Sequence, residues 1–501
     1  MNCSSFSGRW LIGAFGLFLM TVLLSLGACQ KEEFSESEDV KISFSTDTLR
    51  FDTVFTERGT ITRFFKVFNG ESQSIRLNNV YLEGSTESFR YNVDGFDQSN
   101  LGEVVIRGRD SIYVFVEATI DPDAPVSASP FLIHDKLMFE VNGQISEVHL
   151  EAYGQNANYI PAKDARGGVV LLSCDGGTVH WDDPRPYVIF GALVIDDCTL
   201  VLPAGARLHV HGGIAEDNGQ IYNDGLIFVA ENGRLLSEGT AGNPVKIQGD
   251  RLEQGFAETR GQWAGIRLGA NSGPHHFQYT EIRNSIVGLR ADSATDVSLE
   301  QVRILNTSGP GLVGVHNSIH AVNLLIGNNG GHSIQLTYGG DHHFYYTTLA
   351  NFGNQIEALR MDNVFCYDPP DCTDVRINPL NATFTNSIIA GSGRDQILII
   401  DPAMDQGGSM NFTFDHCLVR VFQILREDRY SEFMDDCNNC YNFELFEPVF
   451  LDVQEGDYRL DSISLAREFA KPIPEVTTID LTGGGRSSEG PDAGAFEWKN
   501  Q

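Results

Sequence analysis

Between residues 41 and 153, apolar and polar side chains alternate with a period of two. Ile42 and Phe44 flank Ser43, and the same alternation runs through 64–68, 75–82 and 112–116. Alternation places every second side chain on one face of an extended chain, so each stretch reads as a strand with one buried face. Asn142-Gly143 separates two such runs, 137–141 and 144–150. A two-residue hairpin turn needs positive φ at both positions, which Asn and Gly tolerate best. About seven strands in this region predict a two-sheet sandwich of the immunoglobulin-like kind.

From residue 160 onward the pattern changes. Four segments align: 278–284 (QYTEIRN), 300–306 (EQVRILN), 322–328 (VNLLIGN) and 345–351 (YYTTLAN). Their asparagines, Asn284, Asn306, Asn328 and Asn351, are 22, 22 and 23 residues apart, each preceded two positions earlier by Ile282, Ile304, Ile326 or Leu349. Leu289, Leu312 and Ile334 form a second column with spacings of 23 and 22. This period fits one coil of a parallel β-helix, in which coils stack at about 4.8 Å and aliphatic columns fill the interior. A leucine-rich repeat has a similar length but needs an LxxLxLxxN pattern and a helix-like return, and neither is clear here. The four asparagines are expected at a turn, as a ladder of side-chain amides. Between Asn351 and Asn386 the period breaks around a loop bounded by Cys366 and Cys372, and it resumes toward Asp415 with a spacing of 29. Insertions of this kind project from one face of a repeat array and often bind ligands.

Composition narrows the function. Lys and Arg total 35 against 67 Asp and Glu, a net charge of −32. Such a surface repels phosphate backbones, so nucleic acid is not expected as a partner. An acidic polysaccharide would need a bridging cation, such as calcium, or a local basic patch. The 51 glycines and 18 prolines suit many short strands joined by turns.

Residues 1–29 read as a processing signal: Arg9, an apolar run over 11–26, then Gly27-Ala28-Cys29. The stretch Leu26-Gly27-Ala28-Cys29 resembles a bacterial lipobox, which implies lipidation of Cys29 and a stable membrane anchor. The alternative is a plain secretory signal with a chance cysteine. Gln30, Lys31, Glu32 and Glu33 follow, and with Cys29 they resemble the surface-export tag of Bacteroidetes lipoproteins, at the head of an acidic linker over 30–40. The resemblance implies an outer-membrane protein facing outward. Of nine cysteines, Cys3 leaves with the signal and Cys29 carries lipid. The other seven sit in an oxidising compartment. Cys366 and Cys372 could close a loop, and Cys174 could join Cys198 across neighbouring coils. Cys437 and Cys440 could bridge locally or pair elsewhere, for instance with Cys417.

Over 187–268 the pieces VIFGALVID, TLVLPAGARLHVHGG, AGNPVKIQGDR and GQWAGIRLG resemble a family of Bacteroidetes right-handed parallel β-helix lipoproteins of the pectate-lyase-like fold. Residues 41–153 resemble the N-terminal immunoglobulin-like module common in such lipoproteins, which implies a stalk. The C-terminal 491–497 (PDAGAFE) resembles the D-x-G-A-x-E ending of secreted β-helix proteins, which implies a structural segment completing the last coil. Together these imply an all-β chain: sandwich over 41–153, β-helix over 160–501.

The repeat register allows a search for chemistry on the outer face. Eight residues before each asparagine stand His276, Ser298, His320 and His343; ten before stand Pro274, Asp296, Ser318 and Asp341. His320 and His343 should be about 5 Å apart on adjacent coils, with His276 about 10 Å from His320. Asp341 should point to the same side as His343. Asp341, His320 and His343 could hold a transition metal, but a solvated histidine row accounts for them more simply because a third firm ligand is missing. Glu281 and Arg303 should form a cross-strand ion pair. Lys246, Arg251, Arg267 and Arg290 are the candidate bases for a lyase, without an acidic cluster in register beside them. Asp435-Asp436 reads as a solvated turn, and Asp250-Arg251 as a loop anchor. Trp263, Tyr338, Tyr345 and Tyr346 are candidate sugar-stacking rings. No nucleophile-elbow, P-loop or HExxH motif is present. The expected role is therefore non-catalytic binding of an extended ligand such as a glycan, or adhesion. A polysaccharide lyase or glycoside hydrolase, which would need converging acidic and basic groups, and a structural envelope component are the alternatives.

Overall fold

A computed structural model describes residues 33–37, 39–55, 62–84, 88–98, 103–119, 131–155, 157–160, 168–217, 220–223, 225–252, 256–368, 373–401, 409–427 and 430–499. Cys29, Gln30, Lys31 and Glu32 lie outside these residues, as does Cys372. The chain is mostly β and divides into two compact units, Met1–Gln155 and Asn156–Gln501.

The first unit packs two sheets face to face. One orders Ile42–Phe44, Arg63–Asn69, Ser111–Ala118, Phe89–Val93 and Phe96–Asp97; the other orders Thr48–Phe55, Gln144–Gln155, Phe131–Val141 and Asn79–Leu82. Alternation does what the sequence requires: Phe65, Val67, Val114 and Val116 point into a core shared with Leu137, Phe139, Val148 and Leu150. Val141 pairs with Gln144 across the expected turn, with φ of 47° at Asn142 and 82° at Gly143. The described residues of the segment read as an acidic linker make contacts with later residues of the unit. Phe34 bridges to Ser74, the Ser35 N–H donates to Ser74 O at 2.9 Å, and Val40 is buried. The Asn142 amide donates to the Ser35 and Ser37 carbonyls, so these backbone groups are satisfied by protein.

The second unit is built from parallel strands, three per repeat. An eleven-stranded sheet runs from Asn158–Ile160 to Tyr441–Asn442. A larger sheet has two arms and is curled, because Leu312–Val322 and Ile334–Tyr345 pass through the bend and belong to both. In the eleven-stranded sheet Ile282 pairs with Ile304, Ile304 with Ile326, Ile326 with Leu349 and Leu349 with Ile389. Leu289, Leu312, Ile334, Leu359 and Ile397 form the matching column of the first arm. These side chains are buried in one continuous core, each contributing roughly 1.5–3 kcal/mol of transfer free energy. The repeat continues through the expected break: Leu359–Asp362 and Leu380–Thr385 both pair with Ile334–Tyr345. The extra residues form an antiparallel hairpin, Val364–Cys366 with Val375–Ile377.

The strands meet at corners made by single residues of positive φ. Between the second arm and the eleven-stranded sheet these are Tyr279, Gln301, Asn323, Tyr346, Asn386, His416 and Asn439. The Asn323 N–H donates to Tyr345 O, the Tyr346 N–H to Thr385 O and the Asn386 N–H to Asp415 O, so the ladder runs through the bend. The column read from sequence sits at the next corner, where φ is 63° at Asn284, 59° at Asn306 and 57° at Asn328. Its side-chain ladder forms between one pair only: Asn328 Nδ2 donates to Asn306 Oδ1 at 2.5 Å. Asn284 instead donates to the Ala257 and Thr259 carbonyls, and Asn351 to Gly331 O and Ile356 O. Irregular loops at both ends of the column present carbonyls that these amides satisfy in place of their neighbours.

The C-terminal segment does not extend the stack. It folds back over the outer face of the eleven-stranded sheet, where Tyr458, Leu460, Leu481, Ala493, Ala495 and Phe496 pack with Leu325, Tyr346, Ala350, Ile388 and Leu418. Asp492 accepts from the Glu468 and Trp498 N–H groups, and Glu497 from those of Ser487 and Asp492. The Asp-x-Gly-Ala-x-Glu run is thus a self-capped loop. Cys174–Cys198 and Cys437–Cys440 are disulfides, Cys366 is disulfide-bonded, and Cys417 is free and buried.

Candidate functional site

The second arm carries the row of interest. His276 pairs with Ser298, Ser298 with His320, His320 with His343, and His343 with Thr383. Alternation turns their neighbours His275, Val297, Ile319 and His342 inward, so the row faces outward. The parallel row Asp296, Ser318, Asp341 and Asn381 runs beside it.

The His320 and His343 ring centroids are 6.4 Å apart, and His343 Nε2 lies 3.7 Å from Asp341 Oδ1. Partial burial, and then the adjacent His343, push the His320 imidazole below its ordinary pKa. His320 also meets the Tyr345 ring at 5.5 Å, the two planes tilted by 49°. Among the described residues no group of three or more His, Cys, Asp or Glu side chains is placed to hold a metal ion. His276, two strands from His320, does not join the pair.

The arm bends at Ala294, His316 and Tyr338, with φ of 58°, 49° and 64°. The bend turns two rings outward, and the inserted hairpin adds two more. His316 meets Tyr338 at 5.4 Å, Tyr338 meets Phe365 at 5.1 Å and Phe365 meets Tyr367 at 4.9 Å. Phe365 and Tyr367 are 42% and 54% exposed, high for large rings. Tyr338 is held from behind: its N–H donates to Asp362 Oδ1, and its carbonyl accepts from Asn378 Nδ2. Asp362 is fixed in turn by Thr337 and Arg360. His316 also edges an open depression of about 520 Å3 lined by Asp296, Ser318, Asp341 and Asn381. A strip of rings beside a shallow polar depression can stack on pyranose faces while its hydroxyl, amide and carboxylate groups bond sugar hydroxyls.

Other candidates resolve differently. Trp263 is buried and donates from Nε1 to Arg283 O, and Tyr346 is buried under the C-terminal segment, so neither is a platform. Glu281 and Arg303 are neighbours in register, but the Glu281 carboxylate meets Arg283 at 3.3 Å. Asp250 pairs with His211 at 2.9 Å, and Arg251 stacks on Phe256. Asp435 and Asp436 end the one-turn helix Phe433–Asp436. Beside Arg267 and Arg290 there is an acid in place: Asp292 lies 2.7 Å from each. His316, Phe365 and Tyr367 carried no sequence signal beyond the broken period.

No family model matches this chain. No curated protein matches it either. Among solved structures, a protein of unknown function from Porphyromonas gingivalis W83 aligns at 12% identity over 25% of this chain and 50% of its own, with a TM-score of 0.18. The chain thus spans about half the length of that protein. A PapD-like domain of human CEP192 aligns at 10% identity over 26% and 97%, TM-score 0.17. A family 123 glycoside hydrolase from Clostridium perfringens aligns at 6% identity over 38% and 48%, TM-score 0.19. At such scores none carries an argument about this chain.

Proposed function

We propose that this chain is a surface-exposed lipoprotein, anchored through Cys29, whose parallel unit is a right-handed β-helix that binds an extended glycan without cleaving it. The first unit, in this reading, is an immunoglobulin-like stalk. The observation that carries the binding role is the strip His316, Tyr338, Phe365 and Tyr367 beside the depression lined by Asp296 and Asp341. Repeats spaced at about 4.8 Å along one face suit a linear polymer. Among the described residues, no Lys or Arg lines that depression.

A second reading comes from the two carboxylates. Asp296 and Asp341 are two strands apart in register, about 9.6 Å, near the upper end of the separation used by inverting hydrolases. Both are open to solvent, without the enclosed setting that tunes one carboxyl as an acid, and binding is favoured for that reason.

The experiment is a panel of neutral and acidic polysaccharides, with and without calcium, read both for binding and for shortened products. Binding without shortening, lost in Tyr338→Ala, is expected. Shortened products would overturn the non-catalytic reading, with unsaturated ends marking a lyase and new reducing ends a hydrolase. Protease shaving of intact cells tests the surface anchor; protection there, with digestion after lysis, would sink it.

A further inference from the structure

The first arm of the curled sheet carries its own outward row, on the other side of the His316–Tyr338 bend. Phe228 pairs with Arg267, Arg267 with Arg290, Arg290 with Val313, Val313 with Gln335, and Gln335 with Arg360. Arg267 and Arg290 are thus like charges directly opposite one another on adjacent parallel strands, about 4.8 Å apart along the backbone. That arrangement destabilises a sheet unless something compensates. Among the described residues the carboxylate that does so is Asp292, whose side chain is only 11% exposed and which sits on the segment leading into the bend. Its Oδ2 accepts from Arg267 Nε and its Oδ1 from Arg290 Nε, both at 2.7 Å. Two cations share one anion, so one unit of positive charge remains on a chain whose net charge is −32.

The geometry of the tether matters more than the count. Each guanidinium is fixed through Nε by Asp292, and the two side chains remain 50% and 43% exposed. Phe228 lies 5.8 Å beneath Arg267 and supports one of the two planes. A planar fork held this way matches the paired oxygens of a carboxylate or sulfate and has already lost much of its rotamer freedom. Arg360, tied to Asp362, continues the row two repeats past Val313.

We infer that Arg267 and Arg290, positioned by Asp292, form an anion-binding site for the carboxylate or sulfate of an acidic saccharide, so that the glycan bound at the bend is an anionic one. This rests on the binding role proposed for the neighbouring strip. Asp292 is a positioning residue, and the bend brings the two rows onto adjoining faces that one chain of sugars can cross.

The test uses the full-length chain in mild detergent and two polymers, polygalacturonate and an unbranched neutral β-glucan. The wild type is expected to prefer polygalacturonate by about tenfold or more, the scale of one or two charge-assisted hydrogen bonds. The Arg267→Gln/Arg290→Gln double variant should lose that preference while binding the neutral polymer as before. Arg290→Lys, which keeps the charge but not the Nε tether, should fall between them and guards against a folding defect in the double variant. Equal binding of the two polymers, unchanged in the double variant, overturns the anion site and leaves the aromatic strip standing. If neither polymer binds, the strip reading fails and inorganic sulfate decides the anion site. Millimolar sulfate raising the melting temperature of the wild type and not of the double variant upholds the site, and no difference between them overturns it.

Discussion

Asn386 and Lys471, 85 residues apart, hold each other by two reciprocal hydrogen bonds. The Asn386 Nδ2 donates to Lys471 O at 2.8 Å, and the Lys471 N–H donates to Asn386 Oδ1 at 3.0 Å. Asn386 is also a corner residue with φ of 55°, so one side chain both makes the bend and fastens the returning C-terminal segment. Two neighbours in the same corner do likewise. Asn323 donates to Ile479 O and accepts from Arg486, and the Arg486 guanidinium lies 3.9 Å from the centre of the Tyr346 ring.

Replacing Asn386 with Ala removes two part-buried hydrogen bonds and puts, at a φ of 55°, a residue that tolerates left-handed backbone less well than asparagine does. The expected loss is about 2–4 kcal/mol by urea unfolding. Asn386→Gly should recover the backbone part alone, because glycine accepts that φ at little cost. In both variants limited proteolysis should cut first between residues 461 and 490. Unchanged cleavage there would mean that the corner does not fasten the segment.

Gly494 gives a second test of the same docking. Its φ is +84°, and a Cβ would lie 2.6 Å from both Ile388 Cδ1 and Thr348 Oγ1. Its N–H donates to Asn386 O at 2.7 Å, and the next N–H, that of Ala495, donates to Thr348 Oγ1. Gly494→Ala is expected to lift the loop and lower the melting temperature by several degrees, as about 2–3 kcal/mol would. A melting temperature equal to wild type would count against the observed seating.

The interior columns were legible because stacking forces one residue type to recur at one spacing, as at Ile282, Ile304, Ile326 and Leu349. The histidine row was read from the same register, in which Ser298 pairs with His320 and His320 with His343. The corner column Tyr279, Gln301, Asn323, Tyr346, Asn386, His416 and Asn439 was not legible, because the corner imposes a backbone conformation and leaves the side chain free to vary. Nor was the return of 443–499, whose partners lie more than a hundred residues back at Leu325 and Tyr346. The ion trio of Arg267, Asp292 and Arg290 escaped notice for a simpler reason. Asp292 belongs to the segment after its strand, and a search by strand register alone passes over it.

The column with the most direct stability forecast is that of Ile304, fully buried between Ile282 and Ile326. Ile304→Ala leaves a cavity flanked by strands that cannot close without breaking register, so a loss of about 2–5 kcal/mol is expected, against about 0.5–1.5 for Ile304→Val. Urea unfolding of the two variants checks the order and the gap. Equal losses would mean that the stack relaxes around the missing methyls.

Three buried histidines predict how stability depends on pH. Burial lowers His209, His275 and His342 to about 4, against about 6.5 in an unfolded chain. Between those values the unfolded chain binds more protons than the folded one, so stability rises with pH there. The contribution is complete above about 6.5, falls away as pH drops toward 4, and is flat below. His342 is the most informative of the three. It is fully buried, and the nearby Gly339 backbone offsets only part of the cost that burial puts on its charged form. In wild type, unfolding free energy measured at pH 7 should exceed that at pH 4.5. In His342→Phe the difference should shrink by an amount on the order of 2–3 kcal/mol at most. An unchanged difference would mean that His342 becomes protonated without cost inside the core, which would require a water or acceptor reaching it between the strands.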